Sequence, residues 1–315
     1  MMARRFYLHV FSVCLLASAA APASPVPMAS LSPAAARNID AFTAKARAAN
    51  PQIFRSVSKL REELPGLARK ARGGKVNVRA RLVALGPEAL PAVLSELKDG
   101  AAPAVGDLLA STNTSWVIGL LETAGHWSNP IAVPVLESVA TQPDGSAPVI
   151  AAAIRALGEL GTMGSEDAEK RLEEIYGRRA GAMPELIESF GYCRRNTMAR
   201  FLLGTLESAS NGQGEAQRNG LVKALGQVAS GWVWETANLA KTGEGNDLRR
   251  AVFDALVQRY SHADAAARRV LTDALWLVDL PDGVTRVKAH GTKNGTDAAA
   301  LTELASKLAS SPLRR

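Results

Sequence analysis

AIRALGELG, residues 153–161, sets Ile154 and Leu157 three positions apart, with charged Arg155 and small Ala156 between them and Gly158 directly after. Residues three apart share one face of an α-helix, so this order reads as a short apolar stripe that stops at a glycine. LVKALGQVA, residues 221–229, repeats the order with Val222, Lys223, Ala224, Leu225 and Gly226. RLVALGPEALPAVL, residues 81–94, repeats it with Leu82, Val83, Ala84, Leu85 and Gly86. Gly125 and Gly191 complete a series of markers separated by 39, 33, 33 and 35 residues, and Val257 stands in a sixth copy without the glycine. Such a period belongs to arrays of helix pairs, in which each pair buries its apolar stripe only by stacking on the next.

The alignment extends beyond the marker. Four residues before it stand Leu82, Leu121, Ile154, Ile187, Val222 and Phe253, and one before it Leu85, Ala124, Leu157, Phe190, Leu225 and Leu256. Two before it come the small residues Ala84, Thr123, Ala156, Ser189, Ala224 and Ala255, which let a neighbouring helix approach. Three before it come Val83, Glu122, Arg155, Glu188, Lys223 and Asp254, a mostly charged column expected to face water. The glycine is expected to close the first helix of each pair in a left-handed conformation. Second helices are expected after Asn129 and Pro130, an N-cap followed by proline, and near Ala89, Ser165, Asn196 and Trp232.

The fold expected is all-α, a right-handed alpha-alpha superhelix of about six helix pairs. Its divisions are a signal peptide over 1–23, a flexible lead-in and atypical helical cap over 24–74, the solenoid over 75–280, and a loop with a C-terminal helix over 281–315. Within these, 32–71 is read as a capping helical pair and 265–278 as the last second helix. Pro281, Asp282 and Gly283 break the pattern, 296–309 forms a terminal helix, and Gly243, Glu244 and Gly245 read as a connector.

AIRALGELG, LVKALGQVA and RLVALGPEALPAVL together resemble HEAT repeats of the bilin-lyase-like, armadillo-like solenoid type, over about residues 75–280. The resemblance implies a scaffold, since such arrays generally bind proteins, while some relatives attach pigments or read damaged DNA. An activity does not transfer with a fold. Two departures mark the edges of the array: the glycine missing at Val257 and the long loop over 100–111.

In the 315 residues, the apolar fraction of 47% suffices for a buried core, and the aromatic fraction of 5% beside plentiful alanine and leucine favours helices over strands. Met1 to Arg5, an apolar run over 6–16 and small residues over 17–23 follow the layout of a secretory signal, with cleavage after Ala19 or after Ala23. Arg4 and Arg5 before Phe6 are similar to a twin-arginine signal, but Ala3 replaces its polar residue. The apolar run is shorter than the roughly 20 residues of a spanning helix, so the mature chain is expected to carry no transmembrane segment and to be extracytoplasmic, periplasmic or secreted. Of the 37 basic residues, Arg4 and Arg5 leave with the signal, so the excess over 30 acidic residues falls from +7 to +5. Loss of Cys14 leaves Cys193 as a single thiol, which rules out an intramolecular disulfide.

No metal-ligand spacing surrounds His126, His262 or His290, and no nucleophile elbow, Walker loop or dinucleotide fingerprint occurs, so neither cofactor nor metal is expected. Glu166, Asp167, Glu169, Glu173 and Glu174 crowd one second helix beside Lys170 and Arg171, the composition of a solvated, ion-paired face. That acidic helix interrupts any continuous basic track, and export removes nucleic acid from the partners. The candidate partner-binding residues are therefore Trp232, Trp234, Arg194 and Arg195. Two positions along a helix turn the side chain by about 200°, so the two tryptophans cannot both be buried on one face. The function expected is that of an exported, non-catalytic scaffold holding a protein or peptide on its concave surface. The alternatives are an enzyme or small-ligand carrier with a pocket assembled from distant residues, for example around Glu122, His126 and Trp127, and a binder of an anionic envelope polymer.

Overall fold

A computed structural model describes residues 31–70, 76–99, 107–143, 145–181, 183–209, 214–236, 244–294 and 297–310. The signal-like segment, its two cleavage points and Cys14 lie outside the described residues. Within them every regular element is a helix. The elements are α1 (Pro33–Ala49), α2 (Pro51–Lys70), α3 (Val78–Val83), α4 (Leu90–Asp99), α5 (Asp107–His126), α6 (Val133–Ala140), α7 (Ala147–Thr162) and α8 (Glu166–Arg179). Then come α9 (Asn196–Ser208), α10 (Glu215–Val228), α11 (Gly231–Thr236), α12 (Glu244–Tyr260), α13 (Ala265–Val278), α14 (Gly283–Asn294) and α15 (Ala298–Ala309). A nine-residue 3-10 segment, Pro184–Tyr192, lies between α8 and α9.

Local chemistry starts these helices where side chains can satisfy their free N–H groups. Ser165 Oγ accepts from Ala168 N–H at 3.3 Å ahead of α8, and Asp264 Oδ1 accepts from Ala267 N–H at 2.9 Å ahead of α13. Asn129 Oδ1 accepts from Ile131 N–H at 3.1 Å, with Pro130 opening a short 3-10 turn into α6. The expected starts near Ala89, Ser165, Asn196 and Trp232 correspond to α4, α8, α9 and α11.

Packing arranges the helices in two rows. Along the first, α3 lies on α5, α5 on α7, α7 on the 3-10 segment, that segment on α10, and α10 on α13. Along the second, α4 meets α6, α6 meets α8, α9 meets α12, and α12 meets α14. Second-row helices also lie against the first-row helix that follows, as α4 does on α5, α6 on α7 and α12 on α13. This repeated helix-pair packing is of the alpha-solenoid kind. Leu82, Leu121, Ile154, Ile187, Val222 and Phe253 are all buried in its core, each contributing about 1.5–3 kcal/mol by leaving water.

The glycines do something other than end helices. Gly86 alone among the five markers has positive φ, at 87°, just before the turn into α4. Gly125, Gly158 and Gly226 lie inside α5, α7 and α10, and Gly191 inside the 3-10 segment. What they share is close approach. A Cβ on Gly125 would stand 2.7 Å from the Ala156 backbone, and one on Gly191 would stand 2.3 Å from the Ala224 carbonyl oxygen. Ala156 and Ala224 belong to the small-residue column of the next copy, so glycine and alanine seat one first-row element on another.

That seating corrects the sixth copy. Gly226 meets Ala274 of α13, with Cβ-to-Cα separation of 2.9 Å, not Ala255 of α12. Helix α13, expected as the last second helix, therefore continues the first row, and α12 lies against α9 in the second. The segment after Pro281 forms α14, where a loop was expected, with Gly283 fitting against the Phe253 ring. Glu244 and Gly245, expected as connector, open α12, and part of the expected loop over 100–111 is the start of α5. Helices α1 and α2, which span the segment expected to cap the array, lie against α4 and α5.

Candidate functional site

The shift of α12 out of the first row leaves a cleft of about 590 Å3 between α9, α10, α12 and α13. Its apolar lining comes from Leu203 and Leu206 of α9, Val222 of α10, Ala255 of α12 and Leu271 of α13. Ala255 is the small residue that the alignment assigns to seat a neighbouring glycine. Gly226 sits on Ala274 instead, which leaves Ala255 half-buried on the cleft wall.

Polar residues line the same space at two depths. Glu207, Glu215, Arg218, Gln258, His262 and Asp264 are exposed at the rim. Asn219 of α10 and Arg259 of α12 are half-buried, and neither side chain has a hydrogen-bond partner among the described residues. Burial holds the Arg259 pKa below the ordinary guanidinium value, opposed by the field of Glu207. The Asp264 carboxylate is committed to capping α13. None of these polar residues apart from His262 stands out in the sequence, because the cleft joins positions from 203 to 271. The one signal is the loss of the glycine at Val257, where the array changes course.

The charged column three before each marker has a role beyond facing water: it pairs successive copies. Glu122 Oε1 accepts from Arg155 Nη2 at 3.0 Å, and Lys223 Nζ lies 3.9 Å from Glu188 Oε2. Beside them, Arg79 of α3 forks onto Glu159 of α7 with both nitrogens at 3.0 Å, and its Nη2 reaches His126 Nδ1 at 3.3 Å. An arginine only donates, so in this contact Arg79 is the donor and His126 Nδ1 the acceptor. Glu122 and His126 are thus tied to different arginines, while Trp127 packs half-buried against the core.

Arg194 is only 9% exposed; its Nη1 donates to the Tyr192 carbonyl at 3.3 Å and its guanidinium lies 5.2 Å from the Tyr192 ring centre. Desolvation holds its pKa below the usual value, opposed chiefly by Glu159. Arg195 pairs with Glu169 at 3.2 Å, which draws the start of α9 onto the acidic first turn of α8. Arg171, expected to pair on the acidic helix, lies within 3.5 Å of Glu137, Asp167 and Glu174, and these raise its pKa with Glu137 foremost.

On α11, Trp232 is 71% exposed and Trp234 3% exposed. Trp234 Nε1 donates to the Val228 carbonyl at 2.8 Å, and its ring covers Gly245, where a Cβ would come within 2.5 Å. The two tryptophans thus separate as their spacing requires. Trp232 and Trp234 stand on a helix packed on α13, whereas Arg194 and Arg195 lead into α9.

Among the described residues no group of three or more His, Cys, Asp or Glu side chains is placed to hold a metal ion, and no helix is long and apolar enough to cross a membrane. Cys193 is a free, buried thiol packed near Gly161, and burial pushes its pKa up. Compared with models of known families, with curated proteins and with solved structures, the chain matches none of them, so its helix-pair packing rests on its own geometry.

Proposed function

We propose that the chain is an exported, non-catalytic scaffold, a right-handed superhelix of about six HEAT-like helix pairs, that holds a protein or peptide partner. The observation carrying this reading is the cleft between α9, α10, α12 and α13, with aliphatic walls and a charged rim at the point where the two rows change partners. Aliphatic surface supplies affinity without directional demands, and rim charges select the partner. The second-row helices, read as the concave side, extend this surface along the array. Trp232 is the outer anchor, since an exposed indole is a common source of binding energy. Trp234, Arg194 and Arg195 act on binding by holding α11 and the start of α9 in place.

The proposal is tested with a photo-crosslinking amino acid at Gln258, exposed on the cleft rim, and at exposed Arg81 as a control, in the cells that make the protein. A discrete protein adduct specific to Gln258 is the expected result. Adduct patterns identical at both positions would end the reading. A small-ligand carrier is the second reading, favoured by a cleft volume within the range of roughly 300–1,000 Å3 common to ligand sites. An anionic polymer has less support, because Arg194 is buried and Arg195 already faces Glu169.

A further inference from the structure

The depth ordering of polar groups in the cleft indicates what kind of peptide it takes. Six polar residues stand exposed at the rim, and three of these are acids. Asp264 is committed to its helix cap, Glu215 lies three residues from Arg218 on the same helical face, and Glu207 is the acid nearest in field to Arg259. The two recessed polar side chains are of another kind. Arg259 is a pure donor, and Asn219 of α10 carries two amide N–H donors beside its one carbonyl acceptor. Around them lie Leu203, Leu206, Val222 and Leu271, none of which can accept a hydrogen bond.

The half-buried Arg259 guanidinium has lost part of its water and has gained the field of Glu207 but no hydrogen bond among the described residues. A carboxylate entering the cleft restores what is lost, and its planar pair of oxygens matches the guanidinium fork. An ammonium group would meet Arg259 as a like charge, and a wholly apolar side chain would leave both donors unmet. We propose that the cleft binds a peptide segment with an acidic side chain, which reaches Arg259 and Asn219 while flanking aliphatic residues cover Leu203, Leu206, Val222 and Leu271. This inference rests on the scaffold reading and adds the sign of the charge that the cleft selects.

Three fluorescently labelled peptides built from leucine, alanine and serine, identical but for a central glutamate, glutamine or lysine, test it by polarisation against the purified full chain. A hydrogen-bonded charge contributes about 1.5–3 kcal/mol, so the glutamate peptide should bind at least about ten-fold more tightly than the other two. Arg259→Gln and Asn219→Leu should each reduce that preference, with urea midpoints showing that both variants remain folded. Should Arg259→Gln fail to fold, Asn219→Leu carries the test alone. Equal affinity for glutamate and glutamine peptides, a preference for lysine, a preference unchanged in both folded variants, or no binding of any peptide would each overturn the inference. The scaffold reading is judged separately by the adduct at Gln258, so an adduct there with no acidic preference would remove the carboxylate alone.

Discussion

Replacing Gly158 by alanine separates close approach from helix termination as the reason for the marker glycines. In the interior of a free helix the change gains about 0.8–1.0 kcal/mol, because alanine has less backbone entropy to lose. Inside α7 the new Cβ would stand 2.8 Å from the Tyr192 carbonyl carbon and 2.8 Å from Cys193 N. Carbon atoms rest at about 3.5–4.0 Å, so α7 and the 3-10 segment must part by about 0.7 Å or more. Thr162 opposes that movement: its hydroxyl donates to the Tyr192 carbonyl at 3.0 Å and accepts from Arg194 N–H at 2.8 Å. Overpacking of this kind costs about 1–3 kcal/mol, which leaves a net loss of about 1–2 kcal/mol where strain is at the upper end of that range. Gly177 of α8 is the control, helical and exposed with nothing within 4 Å of its would-be Cβ. Gly177→Ala should therefore stabilise by about 0.8–1.0 kcal/mol. Urea unfolding followed by far-ultraviolet circular dichroism reads both; with a slope of about 3 kcal/mol/M, Gly158→Ala lowers the midpoint by about 0.3–0.7 M. Two variants stabilised alike would refute the reasoning.

The tryptophans of α11 should diverge under the same assay: Trp234→Ala costs about 3–5 kcal/mol through the cavity it leaves, while Trp232→Ala stays within about 0.5 kcal/mol of the parent. Equal losses would contradict their placement. Glu122 and Arg155, each about 25% exposed at the side chain, should show a coupling of about 0.5–1 kcal/mol in a double-mutant cycle, largely recovered in the swapped pair Glu122→Arg with Arg155→Glu. Zero coupling would mean that the charged column does not link successive copies. Since burial pushes the Cys193 thiol up, a thiol-specific disulfide reagent at mildly alkaline pH should leave Cys193 unmodified in a folded Cys14→Ser chain and react fully with it once denaturant exposes it. Stoichiometric reaction in the folded state would show the site to be open.

The columns of Leu82, Leu121, Ile154 and Ile187 were legible as core because period and apolarity are local properties, and the helix starts at Asn129 and Ser165 were legible because one side chain satisfies a donor two or three residues away. The purpose of the glycines was not. A glycine inside a helix and one just past its end look alike in a string of letters, and only the neighbour's backbone, 2.3 Å from a would-be Cβ at Gly191, tells them apart. Glu122 and His126 likewise carried no mark of the arginines they face, one from the next copy and one from α3.

By itself the order of residues determined an all-helical chain, the apolar face of most helices and the places where several begin, since each depends on neighbours within one or two turns. Tertiary structure alone decided which helix follows α10, because Gly226 could seat on either Ala255 or Ala274 and the outcome depends on how the remaining surfaces fit. That choice in turn opened the cleft and brought Asn219 and Arg259 to its walls. Such a site is made by the misfit between two rows, and a misfit has no local signature.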